Sequence, residues 1–323
     1  MTKQITKTEK TEACNMKICL IDAGIFIEKP ELLKPLEAAG DVQVFDGIPA
    51  SLEEVVERAG DAEIIAFALM QFTNEMLDNL PKLKTLQFIG TGVWNFVDVE
   101  YAESKGIKVL NIDGYGSNAV AEYAVAMTMA LAKKITRADQ VIKDQNWTID
   151  GLQGIEIAGS TVGVVGTGSI GKLVAEKFLA LGAKVIACDL YENTQLKEKY
   201  GVEYISMEEI FMRSDIITLH MKATKENENI VDRKLLEITK KGALLINVAR
   251  AELVNTEDLY KALLAGSLGG AAIDVYDSEP PKPKDYLLGK LQNVIATPHM
   301  AYYTQEASDN SIKMAVSSIL ASL

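Results

Sequence analysis

Two histidines and three cysteines are all that 323 residues offer of the side chains that most often ligate transition metals or act as soft nucleophiles. The cysteines, Cys14, Cys19 and Cys188, are odd in number and have no CxxC spacing. That argues against a disulfide framework or a zinc site, and for plain thiols in a reducing cytoplasm. Basic residues are scarce too. With 33 Lys and Arg against 45 Asp and Glu, the net charge is −12 and the pI near 4.9, which excludes nucleic acid and anionic membrane surfaces as expected partners. No apolar run approaches the ~20 residues of a membrane span. The opening stretch, MTKQITKTEKTEACN, lacks the apolar segment of a signal peptide and reads as a disordered lead-in. There is no solenoid repeat and no low-complexity segment; PPKPK at Pro280 to Lys284 reads as a rigid surface loop.

What the chain does contain is 48% hydrophobic and 24% charged residues over a length that calls for about two domains. From Lys17 on, strand-like runs alternate with helical stretches: KICLID, a helix around Glu31 to Ala39, VQVF, EIIAFAL, LQFIG and KVLNI. Such alternation implies a parallel sheet covered by helices. A long amphipathic helix is expected from about Ala119 to Lys134, followed by seven more strand-like segments: TVGVVG, KVIACD, EYI, DIITLH, ALLINV, GGAAIDV and NVIATP. Seven of that kind suit a doubly wound dinucleotide-binding domain. The helical stretch from Thr304 to Leu320 is too long to finish that sheet and is expected to return to the first domain. The resulting division is a discontinuous domain of residues 1–113 and 301–323 around a second domain of residues 114–300.

Thr161 to Gly171 reads TVGVVGTGSIG, a β-branched run leading through Gly166, Gly168 and Gly171 into the helical stretch KLVAEKFLALG. Gly166 allows a tight turn, Gly168 lets the backbone approach a pyrophosphate, and Gly171 lets helix and strand pack closely. The anion then meets free N–H groups and the positive end of the helix dipole. A second strand ends at Asp189, 21 residues beyond Gly168. A carboxylate there accepts hydrogen bonds from ribose hydroxyls and repels a 2′-phosphate, which favours NAD over NADP.

Three polar residues stand just past apolar strands: Arg250 after ALLINVA, Glu279 after AAIDVYDS, and His299 after VIATP. In an open α/β sheet ligands bind beyond the carboxyl ends of the strands, so all three are expected at the glycine loop's cleft. An arginine grips a carboxylate through two parallel N–H bonds. A histidine exchanges a proton near neutral pH, and a hydrogen-bonded glutamate stabilises its charged form. This is a working set for hydride transfer at a carbon bearing oxygen. The other histidine, His220, closes the strand DIITL away from this cluster and reads as structural or a cofactor neighbour. Acidic residues such as Glu53, Glu54 and Glu57 read as a solvated helix face.

With these motifs in this order, GTGSIG with Asp189, LHMKAT, NVAR, DVYDSEP and TPH, the chain resembles the NAD-dependent D-isomer-specific 2-hydroxyacid dehydrogenases. The resemblance covers nearly everything after Met16. It implies two doubly wound parallel-sheet α/β domains, a Rossmann NAD-binding domain inserted in a discontinuous flavodoxin-like substrate domain. It also implies a homodimer that reduces a 2-oxo acid with NADH. The family's catalytic arginine, glutamate and histidine fall on Arg250, Glu279 and His299. Its cofactor contacts fall on Gly166, Gly168, Ser169, Ile170, Asp189, Met221, Lys222, Asn227, Val248, Ala249, Arg250 and Asp274, the last at the carboxamide. Backbone amides at Thr91, Gly92 and Val93, in GTGVWNFVD, are expected to help Arg250 hold the substrate carboxylate.

Some positions depart from the family pattern. Lys222 replaces a usual proline and brings a cation near the adenosine end, where it would relax discrimination against NADP; Asp189 still argues for NAD. Ala251 replaces the usual glycine after the arginine. Phe67 to Phe72, FALMQF, has no Arg or Lys, so a phosphorylated substrate is not expected. Leu69, Met70, Trp94 and Tyr302 are equally readable as pocket lining or as ordinary packing, and Tyr115 resembles the glycerate and lactate branches. Pyruvate, hydroxypyruvate, glyoxylate and branched or aromatic 2-oxo acids all stay open. Two alternatives share the fold. NAD-sensing corepressors carry long partner-binding segments, whereas this chain closes soon after its last helix. Formate dehydrogenases pair their histidine with glutamine, whereas position 279 is a glutamate.

Overall fold

The strands of both sheets are short apolar runs with no charged residue at their centres, and most are buried on both faces, as strands flanked by helices must be. The computed structural model describes residues 16–323; the polar lead-in and Cys14 lie outside the described residues. The described chain divides into two compact units, one running to Gly116 and resuming at Tyr303–Leu323, the other Ser117–Tyr302.

The first unit contains β1 (Lys17–Leu20), α1 (Lys34–Ala39), β2 (Asp41–Val44), α2 (Leu52–Ala59), β3 (Ile64–Phe67), α3 (Asn74–Asp78), β4 (Thr85–Phe88), α4 (Val99–Ser104) and β5 (Lys108–Leu110). Its sheet is parallel throughout, in the order β2-β1-β3-β4-β5, so the strand order reverses between β1 and β3. Cys19, Ile21, Ile65, Phe67, Leu86 and Phe88 form its core, with Phe67 edge-on to Phe72 at 4.9 Å.

The second unit opens with α5 (Ser117–Ala132) and α6 (Ile135–Lys143). The expected single helix to Lys134 therefore ends earlier. Lys134 adopts φ +54°, which breaks the helical hydrogen-bond ladder, and α6 begins beyond it. Nor is α5 amphipathic: it packs against the sheet and against the helix after the glycine loop, so apolar residues are needed on several sides. There follow β6 (Thr161–Val165), α7 (Ser169–Ala180), β7 (Lys184–Cys188), α8 (Thr194–Tyr200), β8 (Glu203–Tyr204), α9 (Met207–Arg213), β9 (Ile216–Leu219), α10 (Arg233–Ile238), β10 (Leu244–Asn247), α11 (Thr256–Ala265), β11 (Gly270–Ile273) and β12 (Val294–Ala296). The seven strands are parallel, in the order β12-β11-β10-β9-β6-β7-β8, and the order reverses between β6 and β9. That is the doubly wound pattern, with its crevice beyond β6.

Helix starts are marked by short polar caps. Ser206 and Glu209 close a reciprocal capping box at α9, and Asn193, Asp232 and Asn255 each accept a backbone N–H at α8, α10 and α11. The last helix, α12 (Gln305–Ser322), is capped by Thr304 and packs on α1 and β4 within the first unit.

Candidate active site

The glycine loop leaves β6 at the point of strand reversal. Gly166 has φ +87°, a conformation in which a side chain is strained, and a Cβ there would lie 2.6 Å from the Met221 nitrogen. A Cβ on Gly171 would lie 1.8 Å from the Gly166 carbonyl oxygen, so helix and loop touch only because no side chain intervenes. Gly168 differs: nothing lies within 4 Å of the position its Cβ would take. That open space faces the start of α7, whose first N–H groups have no side-chain cap. Such an end is built for an anion.

Asp189, just past β7, is half-buried. Its Oδ2 accepts from the Thr167 N–H and, at 3.0 Å, from the Thr167 hydroxyl, while its Oδ1 accepts from the Tyr191 N–H at 3.1 Å. The Tyr204 hydroxyl donates to Thr167 Oγ1 at 3.0 Å. The carboxylate expected to meet a ribose therefore also fastens the loop. Thr167 and Tyr204 carried no recognised signal, because their partners lie on other strands. Ser169 and Ile170 form the first turn of α7. Met221, Lys222 and Asn227 gather in the loop after β9, where Asn227 Nδ2 donates to the Lys222 carbonyl at 2.8 Å and its Oδ1 accepts from the Thr224 N–H at 2.7 Å. The open position before Gly168, the uncapped helix and the carboxylate at the end of β7 together fit a dinucleotide.

At the ends of β10, β11 and β12 the polar residues converge. His299 Nδ1 meets Glu279 Oε2 at 2.6 Å. Since a carboxylate only accepts, Nδ1 carries the proton and Nε2 is left to exchange one with a bound molecule. Burial pushes the Glu279 carboxyl up, but the His299 imidazole, the Tyr276 N–H and the Arg250 charge more than offset it. The carboxyl accordingly sits below the ordinary glutamate range. Each side chain of the pair keeps more than a third of its surface exposed, so both remain reachable. The Arg250 Nη1 donates to the Ala249 carbonyl at 2.7 Å, leaving Nε and Nη2 for a carboxylate. Val248, Ala249 and Arg250 form a turn tied by Asn247, whose Oδ1 accepts from the Ala249 N–H and whose Nδ2 donates to the Arg250 carbonyl.

His299 has φ +52°, uncommon for a residue with a Cβ. Asp274 holds it there. The Asp274 carboxylate is fully buried and accepts from the Thr297 hydroxyl at 2.5 Å, the Met300 N–H at 3.1 Å and the Ala301 N–H at 2.8 Å, bracketing the histidine on both sides. The residue expected at a carboxamide is thus already engaged by its own chain. Tyr276 adds a donor to the Thr297 carbonyl at 2.8 Å; burial, then Asp274 and Glu279, push its phenol up to about 12, so it keeps its proton. Tyr302 stands edge-on to the His299 ring at 6.4 Å. His220 is separate from this group: its Nε2 meets Thr218 Oγ1 at 2.7 Å, and burial pushes its pKa down to about 3.

Thr91, Gly92 and Val93 belong to the first unit, beyond β4. Gly92 has φ +90° and opens a short 3-10 turn, and the Thr91 hydroxyl donates to the Ile112 carbonyl at 3.2 Å. Trp94 follows them and is 67% exposed on that unit's surface, whereas Met70 is buried.

A family model described as "D-isomer specific 2-hydroxyacid dehydrogenase, NAD binding domain" matches residues 125–301, more than half of the chain. A hydroxypyruvate reductase of Blautia hydrogenotrophica is 32% identical over 312 residues, covering 94% of this chain and 96% of its own length. The chain belongs to this family. The D-3-phosphoglycerate dehydrogenase of Methanocaldococcus jannaschii is 36% identical over 279 residues, 86% of this chain, and the chain spans only about half of that enzyme, 52%. Among solved structures, the apo form of D-lactate dehydrogenase from Escherichia coli superposes with a TM-score of 0.82 at 28% identity, covering 94% of this chain and 95% of that one. The D-2-hydroxyacid dehydrogenase match contains Gly166, Asp189, Arg250, Glu279 and His299 within its NAD-binding segment. Among the described residues no helix is long and apolar enough to cross a membrane.

Proposed function

We propose that the chain catalyses the NADH-dependent reduction of a small, unphosphorylated 2-oxo acid to the D-2-hydroxy acid. The observation that carries this reading is the 2.6 Å Glu279–His299 pair beside Arg250, in the same unit as the glycine loop. Arg250 grips the substrate carboxylate and so fixes the neighbouring carbonyl. His299 Nε2 gives its proton to the oxygen of that carbonyl as negative charge develops there, and Glu279 stabilises the imidazolium that precedes this step. NADH, when bound, supplies the hydride. Asp274, through Thr297, Met300 and Ala301, keeps the imidazole aimed without touching the substrate.

Residues 114–300 are taken as the NAD-binding domain, and residues 1–113 with 301–323 as the substrate domain. The absence of Arg or Lys from Phe67 to Phe72 supports an unphosphorylated substrate, as does similarity to a hydroxypyruvate reductase over nearly its whole length. Asp189 supports NAD as the preferred cofactor. A homodimer is supported by α6, none of whose residues is buried, with Ile135 and Ile142 more than half exposed and Trp147, just beyond, 90% exposed. The free thiols Cys19 and Cys188 suit the cytoplasm.

The test is oxidation of NADH and NADPH followed at 340 nm against glyoxylate, hydroxypyruvate, pyruvate, 2-oxoisocaproate and phenylpyruvate, with His299→Ala as control. The variant is expected to lose about 10²–10⁴-fold in turnover while binding NADH as the wild type does. A variant nearly as active as wild type would overturn the role given to His299. No turnover of any acid, with NADH still bound, would favour a cofactor-sensing protein instead.

A further inference from the structure

Tyr276 bonds to both sides of the acid–base pair. Its backbone N–H donates to Glu279 Oε1 at 3.1 Å, while Glu279 Oε2 meets His299 Nδ1 at 2.6 Å. At its other end the phenol donates to the Thr297 carbonyl at 2.8 Å. That carbonyl also accepts from the backbone N–H of His299, at 3.0 Å. A carbonyl oxygen has two lone pairs, so both bonds stand together. The result is a closed circuit within the second unit, from the Glu279 carboxylate through Tyr276 and the Thr297 oxygen to His299 and back. The glutamate's arm of it is fastened as well, because the Thr256 hydroxyl, at the start of α11, donates to Asp277 Oδ1 at 3.0 Å.

His299 is held at φ +52°, a conformation that persists only where the surroundings impose it. Asp274 supports its turn through Thr297, Met300 and Ala301; the Tyr276 phenol ties the same turn to the loop that carries the glutamate. Burial, then the charges of Asp274 and Glu279 and the phenols of Tyr286 and Tyr123, push the Tyr276 hydroxyl up to about 12, so it stays a donor at any pH at which the pair works. We infer that Tyr276 is a positioning residue for proton transfer: its hydroxyl sets the separation of Glu279 and His299, and with it how firmly the imidazole holds the proton it delivers. This rests on the reductase reading above. Exposure bounds the effect. Both side chains of the pair keep more than a third of their surface in water, which screens their attraction, so slackening the pair alters proton affinity a few-fold rather than by orders of magnitude.

The experiment compares wild type with Tyr276→Phe, which keeps the aromatic ring and the backbone N–H and removes only the hydroxyl. The first readout is the NMR titration of the histidine rings, which needs no substrate; the chain has two, and His220, pushed down to about 3, is silent near neutral pH. The others are kcat and KM against pH for the best-reduced acid of the panel above, and the NADH dissociation constant. In Tyr276→Phe the His299 signal is expected to titrate about half a pH unit lower, a roughly threefold loss of proton affinity. Reduction needs the protonated imidazole, so the alkaline limb of kcat should move down with it, lowering kcat about threefold on that limb while KM and NADH affinity stay unchanged. A folded Tyr276→Phe whose histidine titration and alkaline limb match wild type would overturn the inference and leave the reductase reading intact. So would a shift seen in Tyr276→Leu but absent from Tyr276→Phe, since it would trace to packing of the aromatic ring. Failure of the wild type to reduce any acid would overturn the reductase reading, and the histidine titration would still decide whether the Tyr276 hydroxyl governs the pair.

Discussion

His220 and His299 are the same chemical group in opposite surroundings, and the difference decides what each can do. His220 sits against Thr218, where burial pushes its pKa from 6.5 down to about 3. The unfolded chain takes up a proton below pH 6.5 and the folded chain only near 3. The contribution of His220 to stability is therefore complete above pH 6.5 and lost as the pH falls through that window. His220→Gln should flatten the acid limb of the urea midpoint plotted against pH; a slope equal to wild type would mean that the ring is open to protons in the fold. His299, by contrast, is exposed enough to reach a substrate and is paired with Glu279. The sequence reading separated the two by their company, since Arg250 and Glu279 follow neighbouring strands. Asp274 was legible only as part of the DVYDSEP motif. Its grip on Thr297, Met300 and Ala301 was not, because a carboxylate's donors leave no local pattern.

At the level of elements, the three glycines of the loop answer to different constraints, and substitution separates them. Gly171→Ala sets a methyl group against the Gly166 carbonyl oxygen, and overpacking against backbone should destabilise the fold by about 1–3 kcal/mol or more. Gly168→Ala meets nothing and should leave stability within ~0.5 kcal/mol. Its methyl would nevertheless stand where a pyrophosphate approaches, so NADH should bind about tenfold more weakly. Thermal melts and NADH fluorescence titrations of the two variants check this; a Gly168→Ala protein that bound NADH as wild type would remove the pyrophosphate from this site. The strands were legible because β-branched runs between turn residues are a local signal. The break between α5 and α6 was not, since Lys134 takes its positive φ without a glycine to announce it.

For the whole molecule, the open question at the surface is α6 and the segment after it. A helix with no buried residue, followed by Trp147 and Ile149 almost fully exposed, is costly to leave in water, since each large side chain buried would contribute roughly 1.5–3 kcal/mol. Sedimentation velocity at micromolar concentration should find a dimer for the wild type and a monomer for Ile142→Asp with Trp147→Ser; a monomeric wild type would overturn the proposed homodimer. The two parallel sheets, the glycine loop with its distal carboxylate, and the arginine, glutamate and histidine past successive strands are legible in the amino-acid order alone. Each of these is written in adjacent residues or at the end of a recognisable strand. Which carboxylates hold loops depends on contacts that form only once the chain is folded. Asp22 finds its last donor 48 residues away and Asp274 finds one 27 residues away. Neither separation follows a period of helix or strand: a buried carboxylate takes whichever backbone amides the fold brings within 3 Å, because leaving it without them would cost more than any local preference can return.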